Sequence, residues 1–212
     1  MPEPDEHQRY YNEIAGSSRA RLDAISDGIF AVCMTLLVLT LAVPTLSDVG
    51  KTGLTHALVN LLPGIVTYVM SFLTLGIFWV GQQTQLSQLE RTDRDYTWIM
   101  LAFLLFVTLV PFSTALLARF YESRTALIEY WLNIVVLGTF ILAGAEYAAR
   151  AGLFKDKRAV LGPIRRRVYT AQALYAGATA LCLIDTRLSI ALIVLIQLNY
   201  AIAPRIWFLR RL

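Results

Sequence analysis

The chain has 212 residues, 57% of them hydrophobic and 16% charged, with a mean hydropathy of +0.56. A soluble domain is nearer a quarter charged, so there is too little polar surface here to cover a water-soluble globule. The net charge of +4 comes from basic residues grouped in particular connections between apolar runs, so membrane topology explains it and no nucleic-acid partner is expected.

Residues 1–20 are polar, with no apolar core of the kind that marks a cleaved leader. They are expected to form a cytoplasmic N-terminal segment ahead of one membrane unit, residues 21–212. A spanning helix needs about 20 mainly apolar residues, and six stretches qualify, at about 25–46, 57–80, 97–118, 127–149, 168–184 and 188–209. Asp27 is the only charge in the first. Glu129 and Glu146 lie near the two ends of the fourth, where snorkelling to the interface is the favoured reading over a proton or ion path. Asp185-Thr186-Arg187 alone separates the last two, which makes them a tight helical hairpin. The longest polar connection, 150–167, ends in Arg165-Arg166-Arg167, a run expected to anchor to anionic membrane lipid. The fold class is therefore an all-α integral membrane protein with six transmembrane helices. Six spans put both termini on one side. All but four of the 19 Lys and Arg residues fall on that side, the exceptions being Lys51, Arg119, Arg124 and Arg187. This asymmetry predicts a multi-pass cell-membrane protein with both termini in the cytoplasm.

Little in the sequence points to catalysis. Cys33 and Cys182 are isolated within apolar runs, and a disulfide or metal framework needs clustered spacing. His7 and His56 are also isolated. No zinc, haem or iron–sulfur pattern, phosphate loop or nucleophile–base pair is present. No cofactor, catalytic residue or enzymatic activity is expected. Trp79, Trp98, Trp131 and Trp207 sit near predicted helix ends, as an aromatic belt requires. Pro63, Pro111 and Pro204 fall near or within helices, where neighbouring helices tolerate a kink.

The first helix is the most informative. Asp27 is an ionisable group inside an apolar run. Such a group costs ~2.5–3.5 kcal/mol at the bilayer centre and less near an end, so it should face protein or water. Trp79, Gln82 and Gln83, at the same depth on the second helix, are its expected partners. Ser26-Asp27 as a simple helix cap is the competing reading. The helical period supplies a second feature. With Val32 at zero and about 100° per residue, Gly28 falls at about −40°, Thr35 at −60°, Leu36 at +40°, Leu39 at −20° and Val43 at +20°. These residues share one stripe, aliphatic or small with a single hydroxyl. Asp27 lies about 140° away from it. On periodicity alone the stripe reads as ordinary lipid-facing or packing surface.

The segment Arg21-Leu-Asp-Ala-Ile-Ser-Asp-Gly28, opening an apolar helix that continues Thr35-Leu-Leu-Val-Leu39, resembles the Arg-x-x-x-Phe-Ser-Asp-Gly signature of the transmembrane protein 175 family of potassium channels. Arg21, Ser26, Asp27 and Gly28 match, and Ile25 stands where the family usually has Phe. The resemblance continues through Tyr68-Val-Met-Ser-Phe-Leu-Thr-Leu-Gly-Ile-Phe-Trp79 and Leu109-Val-Pro-Phe-Ser-Thr-Ala-Leu116. It covers the first three helices, and the last three match only in number and length. After Trp79 this chain has Gly81-Gln82-Gln83 where the family usually carries Asn-His-His.

The resemblance implies a non-canonical potassium channel of the prokaryotic form, with one six-helix unit per chain, assembled as a homotetramer around a pore lined by the first helix. Carried over by position, the constriction falls on Val32, Leu36 and Leu39, with Thr35 contributing to selectivity for the permeating potassium ion. Gly28 and Val43 extend that face, while Arg21, Ser26, Asp27, Trp79, Gln82 and Gln83 form the motif and helix-packing network. The Thr-Val-Gly-Tyr-Gly filter is absent. Stacked aliphatic rings would instead close the pore by dewetting, with modest potassium selectivity. A proton-coupled secondary transporter is the alternative. It would normally show internal repeats and broken helices around a midplane site, and neither is evident.

Overall fold

The computed structural model describes residues 18–202, and these are helical almost throughout. Among the described residues there are nine α-helices and no β-strand; the one isolated bridge pairs Leu89 with Phe154.

Helix α1 (Arg19–Leu36) is followed by a 3-10 turn (Leu37–Thr40). Leu22, Ser26, Phe30, Cys33 and Leu37 are its buried residues, a spacing of three and four that puts them on one face. That face packs on the second and third helical rods. The expected first span of 25–46 is too long at its far end. The chain leaves the helix at Leu41, whose backbone is extended (φ −86°, ψ 105°). Pro44 keeps the helix from continuing past this point: it has no N–H to donate to the Thr40 carbonyl, and it forces Val43 out of the helical region. Val43 therefore lies in the non-helical segment 41–45, and the helical stripe does not reach it.

Two short helices, α2 (Leu46–Thr52) and α3 (Leu54–Val59), meet at Gly53. Its φ of +80° favours a residue without Cβ. Helix α4 (Leu62–Ser87) carries Pro63 in its first turn, where the missing N–H is harmless. It runs two turns beyond the predicted end at residue 80, because Gln82, Gln85 and Leu86 are buried on it.

Helix α5 (Arg94–Thr108) is capped by Asp93, which accepts from the Tyr96 backbone N–H at 2.8 Å and from the Tyr147 hydroxyl at 2.9 Å. Helix α6 (Val110–Arg119) continues the same rod after an interruption at Leu109. Pro111 lacks the N–H that would have bridged the break.

Helix α7 (Arg124–Arg150) is the longest. A Cβ at Gly138 would meet Gln172 Nε2 at 1.8 Å, and one at Gly144 would meet Met100 Cε at 2.5 Å. Both glycines mark close side-chain packing against α7, and a Cβ at either would require Gln172 or Met100 to move its flexible end. Helix α8 (Lys157–Ala180) contains Pro163 and ends in a 3-10 turn (Leu181–Leu183). Much of the connection expected at 150–167 is therefore helix. Asp156 Oδ1 caps its start by accepting from Ala159 N at 3.1 Å, and arginine-rich sequence is good helix former. Helix α9 (Thr186–Ile202) starts under Asp185, whose Oδ1 accepts from Arg187 N at 2.6 Å.

Four segments, Arg19–Thr40, Leu54–Ser87, Arg94–Arg119 and Arg124–Arg150, are long and apolar enough to cross a membrane. The fifth rod is α8, basic in its first half. The sixth is α9, with 17 described residues. The predicted end of the sixth span at 209 lies outside the described residues, as do residues 1–17 of the N-terminal segment, His7, Pro204, Arg205 and Trp207. Cys33 and Cys182 are buried and free, in separate apolar clusters. Large apolar side chains are exposed along all six rods, among them Leu105, Leu132, Leu174 and Leu195, as expected of a surface that faces lipid rather than water.

Candidate ion pathway and the polar clamp behind it

The buried face of α1 leaves the opposite face uncovered. Val32 is 55% exposed, Leu36 43% and Leu39 75%. Gly28, Thr35 and Arg21 are exposed as well. The 3-10 turn changes the register of this stripe in a useful way. Residues three apart eclipse in a 3-10 helix, so Leu39 stacks over Leu36 instead of being offset from it by about 60° as a continuous α-helix would place it. Val43, 86% exposed, belongs to the connection that follows. The Thr35 hydroxyl donates to the Val32 carbonyl at 2.8 Å. With its only hydrogen engaged along the helix, the oxygen turns lone pairs outward.

Behind the stripe, α1 is fastened to α4 at two consecutive residues. Asp27 Oδ1 accepts from Trp79 Nε1 at 2.8 Å and from Gln83 Nε2 at 2.7 Å. Ser26 Oγ accepts from Gln82 Nε2 at 2.7 Å and donates to the Leu22 carbonyl at 2.8 Å. Gln82 is thus a partner of Ser26 and not of Asp27. Trp79 and Gln83 are four residues apart and share a face of α4, whereas Gln82 is rotated by about 100° toward the fully buried Ser26. The Gln82 Oε1 is buried without a partner among the described residues.

Further from α1, a second polar network runs through the scaffold. Thr114 Oγ1 donates to Ser71 Oγ at 2.7 Å, which donates to the Tyr130 hydroxyl at 3.3 Å. Tyr130 pairs with Thr74 at 2.8 Å, and Gln197 Nε2 donates to Thr74 at 2.7 Å. All five side chains are buried, and they join α4, α6, α7 and α9. The sequence reading missed this network. Its signal was present as hydroxyl residues inside uncharged apolar helices, but such residues usually satisfy themselves on their own backbone.

Glu129 and Glu146 part company. Glu146 is at the surface end of α7 and pairs with Arg165, whose Nη2 donates to Oε2 at 2.7 Å. Glu129 is only partly exposed. Its Oε1 accepts from Ser113 Oγ at 3.1 Å, and Asn133 Nδ2 donates to the same Ser113 oxygen at 3.2 Å. Among the described residues no group of three His, Cys, Asp or Glu side chains is placed to hold a metal.

This architecture, an α-helical multi-span unit with a polar clamp behind a bare aliphatic helix face, has close parallels among known proteins. The family model described as the endosomal/lysosomal potassium channel TMEM175 matches residues 21–111, the stretch that holds α1, the clamp and the Leu109–Pro111 break. A potassium channel of Chamaesiphon minutus is 31% identical over 192 residues, covering 88% of this chain and 95% of that protein. A potassium channel of Streptomyces collinus is 37% identical over 142 residues, covering 65% of this chain and 68% of that one. The crystal structure of a lysosomal potassium-selective channel TMEM175 homolog from Chamaesiphon minutus superposes with a TM-score of 0.79 at 29% identity, over 89% of this chain and 98% of that one. The chain belongs to the TMEM175 family, in its single-unit form.

Proposed function

We propose that this chain is the subunit of a potassium-permeable channel of the cell membrane, a homotetramer with four α1 helices around the axis and both termini in the cytoplasm. The observation that carries the reading is the division of α1. One face is packed and hydrogen-bonded into the scaffold, and the other is a bare stripe of Val32, Leu36 and Leu39. The similar proteins named as potassium channels support the choice of ion.

Four copies of the stripe make stacked aliphatic rings at Val32, Leu36 and Leu39. The eclipsing of Leu36 and Leu39 lines up two apolar levels along the axis. Water leaves a narrow apolar constriction of that kind, and ions stop with it. Opening requires the α1 helices to tilt or rotate. Ser26, Asp27 and their α4 partners set the pivot, since they fasten α1 at its other end. Thr35 offers four outward oxygens just below the Leu36 ring. Potassium sheds its water more readily than sodium, so hydroxyl oxygens give modest selectivity. Gly28 and Arg21 continue the face toward the cytoplasmic mouth.

Purified protein in liposomes with an imposed potassium gradient tests the reading. Electrogenic, non-saturating potassium efflux that an ionophore control matches in extent is expected. Uptake that saturates and requires a proton gradient would replace the channel with a coupled transporter, and no flux of either kind would refute both.

A further inference from the structure

Two cavities meet along the first half of α8. One is a recess of about 460 Å³ lined by Gly162, Pro163, Arg166, Arg167 and Tyr200. The other is a groove of about 800 Å³ bordered by α1, α4 and α9, and Arg167 and Tyr200 line it as well. The groove is predominantly apolar, with Phe30, Ala31, Met34, Phe72, Leu73 and Gly76 along it. The pair therefore has a basic head and an oily body, joined at one arginine.

The three consecutive arginines are not equivalent. Arg165 is engaged with Glu146, and Arg167 faces the two cavities. Asp27 also lines the groove, but its Oδ1 already accepts from Trp79 and Gln83. Among the described residues it makes no ion pair with Arg167. Among the described residues the guanidinium has no ion-pair partner, which leaves it open to an added anion, and the adjoining surface calls for an alkyl chain. A membrane-facing site with this division fits an amphiphilic anion, because phosphate oxygens match the guanidinium fork and acyl carbon matches the groove.

We infer that each subunit binds one anionic phospholipid, its phosphate against Arg167 and Tyr200 and one acyl chain in the groove behind α1. The chain lies along Phe30, Ala31 and Met34, the flank of α1 turned away from the Val32 stripe. Occupancy props α1 against α4 alongside the clamp. The binding claim holds whether or not the protein conducts potassium.

The test is native mass spectrometry of the full-length protein in detergent, titrated with phosphatidylglycerol or with phosphatidylcholine of the same acyl chains. Wild type should retain one phosphatidylglycerol per chain about five-fold more tightly than phosphatidylcholine, the preference one basic residue supplies near a membrane surface. Arg167→Gln should abolish that preference, and Arg167→Lys should keep part of it. Gly76→Leu should weaken both lipids. A Cβ there meets only Met34 Cε at 3.9 Å, so the substitution fills the groove without disturbing the helix. An unchanged preference in Arg167→Gln would overturn the head assignment. Undiminished binding in Gly76→Leu would overturn the tail assignment. Competition by soluble glycerol phosphate as strong as by the lipid would overturn the lipid itself. Failure to retain phosphatidylglycerol, with crosslinking of Gly76→Cys to a neighbouring subunit, would give the groove to a second copy.

Discussion

The α1–α4 clamp makes a prediction that runs against the usual expectation for buried polar residues. Asp27 and Gln82 both hold α1 to α4, yet they should respond in opposite directions when removed. Asp27 Oδ1 accepts two hydrogen bonds, from Trp79 and Gln83. Bonds to a charged group are worth about 1.5–3 kcal/mol each when buried. Asp27 is exposed, so solvent screening brings the pair down to about 2 kcal/mol in total. Gln82 is fully buried and makes one neutral bond, to Ser26, worth about 1 kcal/mol or less inside a membrane protein. Against that stands its orphan Oε1, a burden of about 1–3 kcal/mol. Ser26 keeps its donation to the Leu22 carbonyl whatever happens to Gln82. Asp27→Ala should therefore destabilise the protein by about 2 kcal/mol and Asp27→Asn by about half as much. Gln82→Met, close in volume and free of polar atoms, should be neutral or stabilising by about 1 kcal/mol. Thermal unfolding of the purified protein in detergent, followed by tryptophan fluorescence and circular dichroism, reads the order directly. If Gln82→Met lowers the midpoint more than Asp27→Ala does, Gln82 has a partner that this reasoning lacks, and the account of the clamp fails.

The channel reading gives two further expectations, and the scaffold network a third. Leu36→Ala and Leu39→Ala should each raise basal potassium conductance by about ten-fold or more, since each truncation strips about 2 kcal/mol of apolar lining from every subunit. Single-channel recording of both mutants at wild-type levels would move the constriction elsewhere. Thr35→Ala should lower the potassium-to-sodium permeability ratio several-fold without blocking the pore, and a reversal potential unchanged in mixed gradients would remove Thr35 from selectivity. Tyr130→Phe should cost only about 1 kcal/mol, because Thr74 keeps its bonds to Met70 and Gln197 and Ser71 keeps Thr114. A loss as large as that of a core cavity variant such as Leu75→Ala, about 2–5 kcal/mol, would show the network to be coupled far beyond its pairs.

The division between what was legible and what was not follows the range of the forces. Hydropathy over 20 residues is a local property, and it alone marked the apolar rods, their order and the outlier status of Asp27. The period of α1 likewise separated Asp27 from the stripe of Val32, Leu36 and Leu39. Pro44 and Asp156 are local signals too: the first keeps the segment 41–45 out of helix and the second caps the start of α8. Three things needed the tertiary structure. Rotation of α4 about its axis decides that Gln83 meets Asp27 while Gln82 meets Ser26, and no pattern within α4 records that angle. Packing decides that Ser71, Thr74, Thr114, Tyr130 and Gln197 meet in the scaffold, although each could have bonded to its own helix. The packing of α8 against α7 and α9 decides that Arg167, but not Arg165, lines the groove bordered by α1, α4 and α9. Sequence determines which segments enter the bilayer because each residue's transfer energy is its own. Which polar atoms meet there depends on helices far apart in the chain, and only their packing decides it.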